Sequence, residues 1–110
     1  MKSLAEMSKV ERSLLLFLET AAVDHGGLLD ARHMNGADFD IATAWAKEGF
    51  LASFRRVPSS LLDHYRDKGH FNHYVVFSPE AWTLAHQERR ARSGRLTPGV
   101  LKKMEEARGE

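Results

Sequence analysis

Cysteine is absent from the 110 residues, which excludes disulfides and thiolate metal sites and suits a reducing compartment, so a cytoplasmic location is expected. Long apolar runs are absent too. The longest, residues 14–18, falls far short of the roughly 18 residues a membrane-spanning helix needs, and no membrane partner is expected. The first seven residues hold Lys2 but no apolar core, so no secretory signal is expected. Glycine-rich phosphate loops and nucleophile elbows are missing, and Gly26-Gly27 is explained as a helix end. Neither an enzyme nor a cofactor is expected.

What is present is ordinary for one globular domain: 43% hydrophobic and 28% charged residues. The net charge of +1 conceals an asymmetry. Residues 1–49 hold five Lys/Arg against eight Asp/Glu; residues 50–95 hold eight against four; residues 96–110 hold three of each. An anionic partner should therefore meet the second half.

Ser8-Lys9-Val10-Glu11 has capping-box spacing, and Val10, Leu14, Phe17, Leu18 and Ala21 form an apolar stripe behind it. His25-Gly26-Gly27 ends this first helix. Leu4, Met7, Leu15 and Leu16 lie off the stripe and are either more core or a dimer face. Leu28-Leu29 suits a short strand, Asp30 a cap for a brief helix over 31–34, and Asn35-Gly36 a turn. A third helix is expected from a cap at Asp38 to Gly49. Residues 50–57 read as a strand with Phe50, Ala52 and Phe54 on one face, closed by Pro58.

Residues 59–72 allow two readings. Ser60-Leu61-Leu62-Asp63 resembles a helix start, whereas Asp67-Lys68-Gly69 is a hairpin turn that would make 61–66 a strand. His73–Phe77 is the returning strand. Ser78-Pro79-Glu80 starts another helix, with Trp82, Leu84 and Ala85 on its apolar side and Arg89, Arg90, Arg92 and Arg95 near its end. Trp45 and Trp82 are expected as core anchors. Thr97-Pro98 starts a last short helix through Val100, Leu101 and Met104. The expected division is a domain over 1–94 and a tail over 95–110, a short helix or partly disordered.

This order, together with Ile41-Ala42-Thr43-Ala44-Trp45-Ala46-Lys47-Glu48-Gly49-Phe50-Leu51, resembles the winged helix-turn-helix superfamily over about three quarters of the chain. The resemblance implies an α+β fold, mainly α with a small β-hairpin: a three-helix core, a wing and a C-terminal helix. It also implies DNA binding in transcriptional, plasmid or phage regulation, often as a homodimer, with the third helix in the major groove and the wing on the backbone. The third helix departs from that habit, since Asp38, Asp40 and Glu48 oppose Lys47 alone.

The wing is the main candidate site. Arg55, Arg56, Arg66 and Lys68 are interleaved with His64, Tyr65, His70, Phe71, Asn72, His73 and Tyr74; cations neutralise phosphate, aromatics stack, and an amide pairs with base edges. The plainer account is a charged hairpin protected from edge aggregation. Thr43 and Lys47 are the candidate groove contacts, with Arg89 and Arg90 extending the surface. Those arginines also suit a helix C-terminus without any ligand. His64, His70 and His73 match no common zinc spacing, and no metal is expected; protonating them would instead add charge to the wing. Double-stranded DNA is the expected partner. A protein partner meeting the acidic third helix is the alternative, and single-stranded nucleic acid stacking on Tyr65, Phe71 and Tyr74 is a third option.

Overall fold

A computed structural model describes residues 3–66, 70–93 and 98–108. The first helix, α1 (Lys9–Asp24), opens with the expected reciprocal cap: the Ser8 hydroxyl accepts the Glu11 amide at 3.1 Å and the Glu11 carboxylate accepts the Ser8 amide at 3.0 Å. Its buried face is broader than the expected stripe. Leu14, Leu15, Leu18 and Ala21 are buried, whereas Val10 is 50% exposed. The reason is that α1 is flanked by other elements on several sides, so Met7 and Leu15 close the core rather than form a dimer face.

At the end of α1, the amides of His25 and Gly27 both return to the Ala21 carbonyl at 3.0 Å. Gly27 has φ +95° and lies so close to the sheet that a Cβ there would meet the Val75 carbonyl oxygen at 2.6 Å. Strand β1 (Leu28–Leu29) follows, as expected, and then a single 3-10 turn over Ala31–His33 whose cap is Asp30. The next helix, α2 (Gly36–Glu48), starts earlier than its sequence suggests. Asn35 is the cap, and Asp38 is its reciprocal partner three residues on. Gly36 is a turn signal only in isolation; behind a strong Asn cap it occupies the first helical position. Gly49, at φ +83°, ends α2 in the left-handed conformation.

Strands β2 (Leu51–Arg56) and β3 (His73–Phe77) are antiparallel, and β1 joins on the far side of β3, so the sheet order is β1–β3–β2. The expected alternation of Phe50, Ala52 and Phe54 fails because the register shifts between Leu51 and Ser53: Phe50 and Leu51 are both buried and Ala52 is exposed. Between these strands the chain forms a helix, α3 (Ser59–Arg66), which decides between the two readings of this segment in favour of a helical insert. The turn at Asp67-Lys68-Gly69 lies outside the described residues.

Helix α4 (Pro79–Ser93) is joined to the sheet by Ser78, whose hydroxyl donates to the Phe50 carbonyl at 2.6 Å and accepts the Ala81 amide at 3.1 Å. It packs on α1 through Ala81, Ala85 and Glu88, the last of these charged. Trp82 is not a core anchor. It points a quarter turn away from that line, 40% exposed, with its ring 4.9 Å from that of Phe77. The small alanines let α4 approach α1 closely, and a tryptophan on that line would hold the helices apart. Trp45 does anchor the core, 5% exposed and edge-on to Phe50 at 5.2 Å. A last helix, α5 (Pro98–Arg108), is exposed at every residue. The fold is thus mainly helical with a small three-stranded antiparallel sheet, an α+β chain. Among the described residues no helix is long and apolar enough to cross a membrane.

Two substitutions test this packing. Trp45→Ala should cost about 3–5 kcal/mol in denaturant unfolding; unchanged stability would put the indole outside the core. Gly27→Ala should cost more than Gly26→Ala, because both residues have positive φ but only Gly27 also meets a backbone oxygen. Equal losses would refute the close approach to β3.

Candidate nucleic-acid interface

Thr43 and Lys47 are exposed one turn apart on α2, in line with Phe39, whose ring meets those of Phe54 and His73 at 6.0 and 5.4 Å. They therefore occupy the flank of α2 that adjoins the hairpin. Arg55 and Arg56 are exposed at the end of β2, but the pleat separates them. Arg56 is paired with His73 on the α2 side of the sheet, and Arg55 with Tyr74 on the outer side. Two adjacent arginines are thus two contacts on opposite faces, not one clamp. Among the described residues neither arginine has a carboxylate partner, and the same holds for Lys47 and Arg90.

Other candidates are used by the fold. The Asn72 side-chain oxygen accepts the Ala31 amide at 2.9 Å and lies 3.0 Å from His73 Nδ1. Because that oxygen only accepts, Nδ1 carries the hydrogen and Nε2 is the basic nitrogen. The main chain of Asn72 is also engaged, with the amide donating to Leu29 and the carbonyl accepting from Val57. Asn72 therefore joins the 3-10 turn, β1 and Val57 just beyond β2, and its side-chain oxygen is committed to the fold. Phe71 is half-buried with its ring 5.1 Å from His25. Lys68, Arg95 and the side chains of Tyr65 and Arg66 lie outside the described residues.

The arginines of α4 divide in the same way. Arg89 pairs with the buried carboxylate of Glu19 and donates to Thr20 Oγ1 at 3.2 Å; Arg92 reaches Glu88 at 2.8 Å and Ser13 Oγ at 3.3 Å. Both serve the α1–α4 seam, so of this cluster Arg90 is the described cation left to the surface. Sequence reasoning misses Glu19 and Glu88 as the partners of these arginines. The available signal is an acid placed between Leu15 and Leu18 and the apolar residues that follow, where a solvated side chain is not expected. Arg32 is likewise committed, forked onto Asp30 at 2.7–3.0 Å, and that hydrogen-bonded guanidinium holds the Asp30 carboxyl down at about 2.

The histidines do not act as one group. His64 and His70 are exposed, but His73 lies inside the joint between α2 and the hairpin, stacked on Phe54 with centroids 5.7 Å apart. Burial first, and the nearby Arg56 charge second, lower its pKa from the ordinary 6.5. Among the described residues no group of three His, Asp or Glu side chains is placed to hold a metal ion.

The sign of that shift makes a prediction. Above pH 6.5 His73 is neutral folded or unfolded; below it the unfolded chain takes up the proton first, so stability is lost as pH falls toward the lowered value. His73→Phe should flatten the stability–pH curve in that window, and the His73 imidazole should titrate below 6.5 by NMR. A midpoint at or above 6.5 would show that burial and Arg56 do not govern this side chain. Neither a family model, nor a curated protein, nor a solved structure matches the chain.

Proposed function

We propose that the chain is a winged-helix domain that binds duplex DNA without chemistry, as a small regulator of transcription or of plasmid or phage functions. The observation that carries this reading is the placement of α2 against the hairpin: the Phe39–Phe54–His73 joint puts Thr43, Lys47 and Arg56 on the same side of the sheet, with Arg55 exposed on its outer face at the same strand end. The hairpin carries the phosphate contacts. The acids of α2 limit how far it enters a groove, although Asp38 is turned back onto the Asn35 amide at 3.1 Å, leaving Asp40 and Glu48 as its exposed carboxylates. Arg90 extends the surface, whereas Arg89 belongs to the scaffold.

A protein-interaction module is the second reading, and a specific observation favours it. The basic half of the sequence loses Arg89 and Arg92 to internal ion pairs, so less free positive charge reaches the surface than composition suggests.

Anisotropy titration against labelled random duplex DNA at two salt concentrations separates the readings. Salt-sensitive binding is expected, and Arg55→Ala with Arg56→Ala should lower the salt slope by about two units while Arg89→Ala leaves it unchanged. Absence of binding at low salt would overturn the DNA reading and leave the protein module.

A further inference from the structure

Strand β2 is an edge of the sheet, since the order β1–β3–β2 gives it β3 on one side and no strand on the other. The ladder decides which of its backbone groups face outward. Val57 donates to the Asn72 carbonyl at 2.9 Å, so these two residues form a hydrogen-bonded pair. Antiparallel alternation makes Arg55–Tyr74 and Ser53–Val76 the next such pairs. Phe54 and Arg56, opposite Val75 and His73, therefore turn their amides and carbonyls away from β3. Among the described residues these four groups have no hydrogen-bond partner. The register shift between Leu51 and Ser53 closes the edge at one end and Pro58 closes it at the other, so the open stretch is Ser53–Val57.

Both faces of that edge are flanked by cations. Arg55 is exposed on the outer face; Arg56 is on the α2 side, where Lys47 is exposed on the adjoining flank of the helix. None of the three has a carboxylate partner among the described residues. The exposed acid on that side of α2 is Asp40, in line with Lys47 two turns earlier, while Glu48 lies on the other flank. We infer that the β2 edge takes an extended acidic peptide of a protein partner as a fourth strand. The peptide backbone pairs with Phe54 and Arg56, and carboxylates on its two faces meet Arg55 on the outer side and Arg56 and Lys47 on the α2 side. The same arginines reject the most available wrong partner. The β2 of another copy would set arginine against arginine, so the edge resists pairing with itself and accepts a strand of opposite charge. This partner belongs to the protein-module reading and rests on it; no DNA is required, although a duplex would compete for Arg55 and Arg56.

The full chain is to be titrated with a capped peptide of three valine-glutamate-glutamate repeats, and with a control in which proline replaces each valine at unchanged charge. Anisotropy follows binding, and NMR follows amide exchange in the protein. The valine peptide should bind about tenfold or more tightly than the proline peptide, which lacks amides for the ladder. On binding, the Phe54 and Arg56 amides should gain protection from exchange, whereas the Val57 amide, already given to Asn72, should change least. Arg55→Glu with Arg56→Glu, checked for folding by circular dichroism, should lose the glutamate peptide and take a valine-lysine-lysine counterpart instead. Equal binding of the two acidic peptides without new protection would overturn the strand pairing and leave a protein module that reads charge alone. No binding of the valine peptide at low salt would overturn the inference outright, whatever the outcome with DNA.

Discussion

Strand β3 must satisfy both of its edges at once, and the rest of the chain is arranged to let it. Its partner β1 is only two residues long, too little ladder to fix a register by itself. The pairing is extended instead by bonds outside the ladder: Val75 donates to Gly27 at 2.8 Å and Asn72 donates to Leu29 at 3.0 Å. The first of these needs the chain at Gly27 to approach without a side chain, which is why the end of α1 carries a glycine there. Buried backbone groups left unpaired are costly, so these contacts decide whether β3 can be the central strand at all. With β3 in place, His73 and Phe54 face Phe39, and the hairpin is held against α2.

What the sequence makes legible acts over three or four residues. The Ser8–Glu11 cap, the Gly49 stop and the Ser78-Pro79 start all form where expected, because each is a local hydrogen-bonding solution. The cap of α2 falls three residues before its expected place for an equally local reason. Asn35 and Asp38 are both good caps, and they bond each other. Tertiary contacts are not legible. Nothing near Asn72 announces that its amide oxygen will receive Ala31, 41 residues away, nor does Arg89 reveal that its counter-ion is 70 residues back. Trp82 misleads because size and hydrophobicity argue for burial, whereas α4 turns Ala81 and Ala85 inward and leaves Trp82 on its exposed side against Phe77.

Charge shows the same divide between composition and position. A count of residues 50–95 makes the second half basic, but a cation can be held by the fold or offered to a partner, and only the folded arrangement separates the two. Glu19 and Glu88 are buried acids that make Arg89 and Arg92 necessary to the scaffold. Removing Arg89 would leave the Glu19 carboxylate in a poorly solvated seam, a larger penalty than the pair's own net contribution. Arg55, Arg56 and Arg90 carry no such obligation to a described carboxylate, so among the described residues of this half their presence is not explained by an ion pair.

Helix α2 then has two exposed flanks of different chemistry. The one adjoining the hairpin carries Thr43 and Lys47; the one adjoining α1 carries Ile41, Ala44 and Glu48 over an apolar cleft. Treated as one surface, the helix is an acidic element badly suited to nucleic acid. Treated as two, the acid at its end belongs to the cleft side.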